Sequence, residues 1–239
     1  MSRPPRILSF DTSGPHCAAA LMIGGQIVAL DYEEMGRGQA ERLFPMLEEI
    51  LKEAGAVWEE LDAIAVGTGP GNFTGIRIAV SAARGLALSL GIPAIGVTGF
   101  EALRGSRFHG DPAKMIVSLP ASRRGADIVL QYFENGEAVG GPVELAIFGK
   151  GVLDEEFKGF PGPAQILGHE AAAVNYAVQL DKGNYTYLEF GPGYPISRAI
   201  AEVAALKFLS EHEFPRPSPL YIRPADAAPA SDPPPLILP

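Results

Sequence analysis

Apolar and polar residues follow one another along the chain in runs that predict a mixed α/β fold. A short apolar run, Arg6–Asp11, is followed by two more, Cys17–Ile23 and Gln26–Tyr32, which are separated only by Gly24-Gly25. Two adjacent glycines readily supply the positive φ angles of a tight turn, so these runs predict a β-hairpin. A helix, a buried strand at Asp62–Gly67, a loop and a second helix are predicted next.

Two stretches carry apolar residues at helical spacing. The first, Gln39–Ala54, ends before Gly55, and we expect Pro45 to lie in its first turn, where proline is tolerated. The second follows the Gly67–Asn72 loop and combines an apolar stripe with many small residues. These two helices are expected to pack together within the chain. The small side chains of the second helix would also let a helix of another protein approach closely. The two uses are compatible, since a helix can bury one flank within the chain and offer the other.

The pattern then repeats in a weaker form. Lys114–Leu119 parallels the first run, a hairpin is predicted around Asn135-Gly136, a strand at Tyr185–Phe190 and a helix at Ile196–His212. Two degenerate copies of one unit are therefore predicted. The expected divisions are an N-terminal lobe (1–108), a C-terminal lobe (109–226) that includes an edge strand at the sequence LYIR, and a disordered proline-rich tail (227–239).

The glycine-rich segment GTGPGNFTG is a candidate phosphate loop. Glycines allow main-chain N–H groups to approach a ligand, and a helix N-terminus favours an anion. However, the loop has neither the lysine of a P-loop nor the third glycine of a dinucleotide fingerprint, so its composition favours a structural turn. Asp11-Thr12-Ser13 is equally compatible with ligand binding and with a turn. The residues of this vestigial phosphate loop are Asp11, Thr12, Gly69, Gly71 and Thr74.

Composition argues against several functional classes. The formal charge is −9, whereas a protein that holds nucleic acid alone is usually basic, so we expect another chain to hold any RNA. The single cysteine, Cys17, excludes an intrachain disulfide and fits a cytoplasmic protein. Neighbours on a strand face opposite sides, so Cys17 and His16 are not expected to act as a pair. The four histidines show no metal-ligand spacing, and neither a catalytic residue, a nucleophile elbow nor a membrane span is predicted.

Four segments carry a resemblance to a known family: ILSFDTS, QAERLFPMLEEIL, DAIAVGTGPGNFTGIRIAVSAARGLA and IPAIGVTGFEAL. They resemble the bacterial TsaB (YeaZ) proteins closely over residues 7–103, with looser support from SRRG and LYIRPADA. The resemblance implies an actin-like, Hsp70-like (ASKHA, ribonuclease-H-like) ATPase fold of two duplicated lobes, the second degenerate. It also implies a role in making N6-threonylcarbamoyladenosine at position 37 of tRNAs that read codons starting with A.

By the same resemblance, the chain is a non-catalytic paralogue of the transferase TsaD. It binds TsaD through its N-terminal helices, the ATPase TsaE joins the assembly, and homodimers form through similar surfaces. ATP or ADP and metal are then expected in the partner subunits, with no cofactor in this chain, and tRNA is reached only through the complex. The expected interface residues are Glu41, Leu43, Leu47, Leu51, Ile76, Ala79, Ala83 and Leu86.

Two departures and one alternative accompany the resemblance. Gln39 stands where many relatives have histidine, which leaves a packing role intact. Ala121 stands where many have aspartate, which puts chemistry at that loop in doubt. The alternative is an M22-type glycopeptidase-like metallopeptidase, because relatives have been classed so. That function requires metal ligands, which the sequence does not supply.

Overall fold

The structure, a computed structural model, describes residues 4–105, 113–121, 128–145, 165–179, 186–189, 196–210 and 213–222. The strands are β1 (Arg6–Asp11), β2 (His16–Ile23), β3 (Gln26–Glu34), β4 (Ala63–Gly67), β5 (Ala94–Val97), β6 (Lys114–Pro120), β7 (Ile128–Glu134), β8 (Glu137–Leu145), β9 (Gln165–Gly168) and β10 (Thr186–Glu189). The helices are α1 (Gln39–Glu53), α2 (Phe73–Leu90), α3 (Gly99–Gly105), α4 (Ala171–Gln179) and α5 (Ile196–Ser210), with a 3₁₀ turn at Trp58–Glu60.

The strands form two five-stranded sheets with the same internal arrangement. The first sheet has the order β3-β2-β1-β4-β5, and the second has the equivalent order β8-β7-β6-β9-β10. In each sheet the first strand pairs antiparallel with the second and parallel with the fourth. The duplicated α/β fold predicted from the sequence is therefore confirmed.

The first sheet is covered on one face by α1 and α2. The helices bury their apolar stripes against β1, β2 and β4, and Gly24 and Gly25 take the positive φ angles that the predicted β2–β3 turn requires. Pro45 is an exception to the prediction, because it lies in the interior of α1. It is exposed there, on the side of the helix where water can solvate the carbonyl group left without an N–H donor.

The other face of the first sheet is covered by α5. Ala199, Ile200 and Ala204 of this helix share a buried cluster with Ile7 and Ile95 of the sheet. The range 109–226, predicted as the C-terminal lobe, is therefore not one spatial unit. Its last helix returns to the first sheet, because the side chains on that face of the sheet are apolar and an alanine-rich helix can pack closely on them.

Helix α3 lies between the two halves of the molecule. Its Ala102 packs with the first sheet and α5, while Phe100 and Leu103 pack against β6, β7 and β9 of the second sheet. The helix begins with a capping box in which the Thr98 N–H donates to Glu101 Oε2 at 2.7 Å and the Glu101 N–H donates to Thr98 Oγ1 at 3.1 Å. The far face of the second sheet is covered by α4.

The segment 213–222 runs beside the first sheet. The Leu220 N–H donates to the Thr68 carbonyl at 2.8 Å, yet no strand forms, so the predicted edge strand at LYIR is wrong for the part that the structure describes. Arg223 and the predicted tail 227–239 lie outside the described residues, as does the sequence SRRG. Within the described ranges, α2 alone has the length and apolar composition of a membrane-spanning helix. Its apolar stripe is buried against the first sheet.

Candidate functional site

The polar residues predicted to form a phosphate loop meet at one edge of the first sheet. β1 and β4 are parallel neighbours, so Asp11 at the end of β1 lies beside Gly67 at the end of β4. Thr12 and Ser13 continue from β1 and contact the loop that precedes α2. The sequence prediction thus placed these residues in two separate segments that the structure brings together.

Asp11 is the acceptor at the centre of this edge. The residue is 1% exposed, and its Oδ2 accepts hydrogen bonds from the Ser13 N–H at 3.0 Å and from the Ser13 hydroxyl at 2.8 Å. His16 Nε2 lies 2.7 Å from the same oxygen. The sequence analysis missed the partnership with His16, whose only sequence signal is its short separation from Asp11 across the turn between β1 and β2.

Several main-chain groups of the glycine-rich loop are bonded within the protein. The Asn72 N–H donates to the Ser13 carbonyl at 2.6 Å, and the Thr74 and Gly75 N–H groups both donate to Asn72 Oδ1 at 3.0 Å. The Asn72 side chain thereby caps α2. An anion at this helix N-terminus would have to compete with that cap, which accords with the structural turn favoured by the loop composition. Phosphate binding here stays a prediction.

The two segments approach too closely for side chains at three glycines. A Cβ atom at Gly67 would lie 1.9 Å from Asp11 Oδ1, one at Gly71 would lie 2.3 Å from the Ser13 carbonyl oxygen, and one at Gly75 would lie 1.9 Å from the Thr12 carbonyl oxygen. Thr12 Oγ1 also donates to the Gly75 carbonyl at 2.6 Å. The glycines therefore serve the packing of one loop on the other. Gly69 differs, because its φ of 93° lies in the region that favours glycine.

The predicted partner interface requires a correction. Most of its side chains are buried in the core of this chain, against the first sheet: Leu43, Leu47, Leu51, Ile76, Ala79 and Ala83. They are wrong as contact residues. The apolar stripe of each helix packs against the sheet of its own chain, and the helix could contact a partner only through a second apolar face. Leu86 is half-buried and Glu41 is exposed, so these two remain accessible.

The exposed flank of α1 and α2 has a different set of residues. Phe44 on α1 is 45% exposed, although it is a large aromatic side chain. On α2, Ile78 and Ala82 are partly buried against the core, and at Gly85 an added Cβ atom would contact nothing within 4 Å. We call Phe44, Ile78, Ala82 and Gly85 the helix-pair surface. Its small side chains would let another helix approach closely.

Cys17 lies in the buried cluster between the first sheet and helices α1 and α2. Cys17 is fully buried, and burial raises the pKa of its thiol to about 11, with the nearby Arg42 lowering it only in part. Across the described ranges, no three His, Cys, Asp or Glu side chains are grouped so as to hold a metal ion. His109 and His212 lie outside those ranges.

A further cluster joins the C-terminal segment to α2. Arg77 Nε donates to the Tyr221 hydroxyl at 2.8 Å, its guanidinium lies 3.7 Å from the centroid of the Phe73 ring, and the Phe73 and Tyr221 rings lie 5.0 Å apart. The sequence analysis missed this contact, since residues so far apart in the chain carry no local pattern. It holds the segment 213–222 beside the start of α2.

Comparisons with known proteins agree on the relationship. Residues 33–137 match the family model of TsaD, tRNA N6-adenosine threonylcarbamoyltransferase. The chain is 34% identical over 133 residues to the tRNA threonylcarbamoyladenosine biosynthesis protein TsaB of Escherichia coli, a match that covers 55% of this chain and 57% of that protein. It is 34% identical over 112 residues to TsaB of Haemophilus influenzae, covering 47% of each. The chain thus matches about half the length of these curated relatives.

Solved structures extend the likeness over nearly the whole chain. A Pseudomonas aeruginosa protein described as similar to peptidase YEAZ superimposes with a TM-score of 0.68 at 25% identity, covering 92% of this chain and 100% of that one. The ROK hexokinase of Thermus thermophilus gives a TM-score of 0.55 at 16% identity, over 86% of this chain and 100% of the hexokinase, which shows the shared fold alone. Its sequence relatives and its structural neighbours together make this chain similar to the TsaB (YeaZ) proteins.

Proposed function

We propose that this chain takes part in the formation of N6-threonylcarbamoyladenosine in tRNA as a non-catalytic subunit. In this role it binds a TsaD transferase and, together with TsaE, holds it in its active state. The observation that carries the proposal is the sequence match to proteins named for the biosynthesis of this nucleoside. A subunit without chemistry of its own can still control a rate, since preferential binding to one conformation of the enzyme is sufficient.

The geometry of the candidate site supports the non-catalytic part. Asp11 Oδ2 already lies within hydrogen-bonding distance of two donors on Ser13 and of the His16 ring. The Thr74 and Gly75 N–H groups at the start of α2 are bonded to Asn72 Oδ1. Groups that would hold a phosphate and its metal in a working kinase of this fold are here used to join two loops. We therefore expect no ATP hydrolysis by the isolated protein.

That expectation is tested with purified protein and a Gly69→Ala/Gly71→Ala double variant. Gly71 is packed against the Ser13 carbonyl, so the double variant distorts the loop. ATP hydrolysis by the original protein should not exceed that of the variant. Clear hydrolysis that disappears in the variant would contradict the non-catalytic assignment.

The helix-pair surface is the place where we expect TsaD to bind. It combines an exposed aromatic ring at Phe44 with small residues at Ala82 and Gly85, which allows two helices of a partner to pack closely. Such a contact resembles a protein core, where an inserted side chain costs about 1–3 kcal/mol. The chain's charge of −9 also fits a subunit that leaves the phosphates of tRNA to its partners.

The decisive experiment uses exposed positions, because substitutions at the buried Ala79 and Ala83 would disturb the fold itself. Phe44→Glu and Gly85→Glu should each weaken binding to purified TsaD at least about tenfold, as measured by calorimetry. Val28→Glu is the matched control, since Val28 is 44% exposed on the edge strand β3, outside the helix-pair surface. All three variants should keep the circular dichroism spectrum of the original protein.

The cellular arm measures the modified nucleoside in bulk tRNA by mass spectrometry. Depletion of this protein should remove the modification, and the original protein or Val28→Glu should restore it, whereas Phe44→Glu should not. Normal modification after complete depletion would overturn the proposed function. Full restoration by a variant that no longer binds TsaD would overturn only the role of the helix-pair surface.

A further inference from the structure

A groove lies between the second half of α2 and the C-terminal segment. Its volume is about 420 Å³. The lining residues come from α2, from the turn into β5 and from the segment: Arg84, Ala87, Leu88, Gly91, Ile92, Pro93, Ala94, Phe214, Arg216 and Pro217. None of the roles described above involves this groove.

The floor of the groove is apolar, and its rim exposes a leucine. Leu88 is 85% exposed, the largest value among the large hydrophobic residues of the described chain. Ile92 and Phe214 contribute further apolar surface, and both are only partly buried. A single exposed leucine is ordinary on a protein surface, but one beside an apolar groove adds to a continuous patch that can be covered by a partner.

Two arginines give the groove a positive charge. Arg84 and Arg216 are both exposed, and neither forms an ion pair or hydrogen bond with another described residue. No acidic residue lines the groove, and α2 contains none along its whole length. Arg77, two turns before Arg84, is by contrast bonded to Tyr221. On a chain of net charge −9, this groove therefore stands out as a local site for negative charge.

The groove lies on the flank of α2 that faces the C-terminal segment. Arg77, Arg84 and Leu88 recur at a spacing that places them on one side of the helix, and Arg77 fixes that side toward the C-terminal segment. Ala82 and Leu86 lie toward the core shared with α1. Ala82 of the helix-pair surface thus lies on a different side of α2 from Arg77 and Arg84.

We propose that this groove binds an extended segment of another protein in which acidic residues alternate with aliphatic ones. Carboxylates of the segment pair with Arg84 and Arg216, and an aliphatic side chain covers Ile92 and Phe214 beside Leu88. Arginine suits this contact, since its planar fork binds carboxylates in a bidentate manner. RNA fits less well, because a phosphate backbone gains nothing from an apolar floor and the rest of the chain repels it.

The test measures fluorescence anisotropy with the full-length protein and labelled twelve-residue probes. The main probe consists of Glu-Leu-Asp-Ser repeats. One control probe, Lys-Leu-Lys-Ser, reverses the charge, a second, Glu-Ser-Asp-Ser, removes the leucines, and a third is a twelve-nucleotide oligouridine. The acidic-aliphatic peptide should bind at least about tenfold more tightly than each control, because both contacts are needed.

Three variants locate the binding. Arg84→Glu/Arg216→Glu and Leu88→Ser should each weaken binding of the main probe about tenfold or more. Arg37→Glu, an equal change of charge per residue at an exposed arginine in the loop before α1, should leave it unchanged. Equal affinity for all probes, preference for oligouridine, or an unaffected Arg84→Glu/Arg216→Glu variant would each overturn the proposal. Binding of TsaD by Leu88→Ser is measured in parallel and should stay normal, so a failure here is distinct from a failure of the proposed function.

Discussion

The two sheets have the same strand order but different chemistry where their central parallel strands end. In the first sheet, Asp11 lies beside Gly67, and in the second, Ser118 lies beside Gly168. At both places a Cβ atom on the glycine would lie about 2 Å from the neighbouring segment, at 1.9 Å in the first sheet and 2.0 Å in the second. Both sheets therefore have a close approach between strands, made by the Asp11 carboxylate in the first sheet and by the Ser118 main-chain carbonyl in the second.

The difference shows what each copy stabilises. Asp11 Oδ2 lies within hydrogen-bonding distance of three groups and joins the end of β1 to Ser13 and His16. The Ser118 hydroxyl donates to the His169 carbonyl at 2.7 Å, with the Leu167 carbonyl at 3.4 Å, and joins β6 to β9 and to the turn after it. A buried carboxylate requires several donors, whereas a hydroxyl is satisfied by fewer, so the first sheet depends more strongly on its polar residue.

The largest expected effect comes from the contact between the loops of the first sheet. Gly75→Ala should lower the free energy of unfolding by about 3 kcal/mol, because the new Cβ atom would lie 1.9 Å from the Thr12 carbonyl oxygen and the backbone must move. Gly85→Ala in the same helix is the control, since its Cβ atom meets nothing within 4 Å. It should stabilise the protein by up to about 1 kcal/mol. Urea denaturation measures both, and equal effects would contradict the packing described.

The second prediction compares the two polar residues directly. Asp11→Asn should cost about 2 kcal/mol, because a neutral amide oxygen forms weaker hydrogen bonds with these neighbours than the charged carboxylate does. Ser118→Ala should cost about 1 kcal/mol, since it leaves one carbonyl without its donor. The free energies of unfolding in urea give the ratio. A loss from Ser118→Ala equal to or larger than that from Asp11→Asn would reverse the order argued here.

The sequence predicted the sheets better than it predicted the surfaces. Strand and helix patterns report burial, so the repeat of the β1–β3 pattern in β6–β8 and the helices α1, α2 and α5 could be identified. The same patterns could not separate a stripe that faces the sheet from one that faces a partner. Leu43 and Ala83 were therefore assigned to an interface although they are core residues.

Contacts between distant segments were the other limit. The helix α5 covers the first sheet, and Tyr221 bonds to Arg77, yet neither pairing has a local signature in the sequence. The partnership of Asp11 with His16 was also missed, because it depends on the turn between β1 and β2 rather than on spacing along a strand. Loop composition did favour a structural turn at Gly67–Asn72, since the absence of a P-loop lysine can be read directly from the local sequence.

A smaller effect is expected where α3 and α5 join the two halves. Lys207 Nζ donates to Glu101 Oε1 at 2.7 Å. Burial alone would raise the pKa of Glu101, but the Lys207 ammonium and the hydrogen bonds from Lys207 and Thr98 hold the pKa of this carboxyl below its ordinary value. The stabilisation is therefore fully present above the pKa of the unfolded chain and is lost as the pH falls through the lower pKa of the folded state.

Glu101→Gln should remove this part of the pH dependence. The variant should lose about 1 kcal/mol at neutral pH, and its loss relative to the original protein should shrink as the pH falls from 6 to 3. Thermal unfolding at a series of pH values measures the difference in stability between the variant and the original protein. Glu53→Gln is the control, because Glu53 is exposed at the end of α1 and should leave the profile unchanged. A constant difference between Glu101→Gln and the original protein at all pH values would contradict the ion pair.

The last prediction asks whether the two halves of the molecule unfold as one unit. Cys17 is fully buried in β2, and its pKa of about 11 leaves roughly one thiol in a thousand ionised at pH 8, so a thiol reagent should react only after the first sheet opens. Because α5 covers the first sheet and α3 contacts both sheets, we expect the two halves to unfold as a single cooperative unit. Asp11→Asn should then speed labelling about thirtyfold and Ser118→Ala about fivefold. These are the factors that correspond to losses of about 2 and 1 kcal/mol in the free energy of unfolding.

The Ser118→Ala variant carries the information in that experiment. Its substitution lies in the second sheet, so it can reach Cys17 only if opening of one half also opens the other. Faster labelling in this variant supports coupling through α3 and α5, which pack on both the first sheet and each other. Labelling at the original rate, with the loss of stability still visible in urea, would mean that the first sheet opens with its helices independently of the second. The two halves would then share a topology but would not stabilise each other.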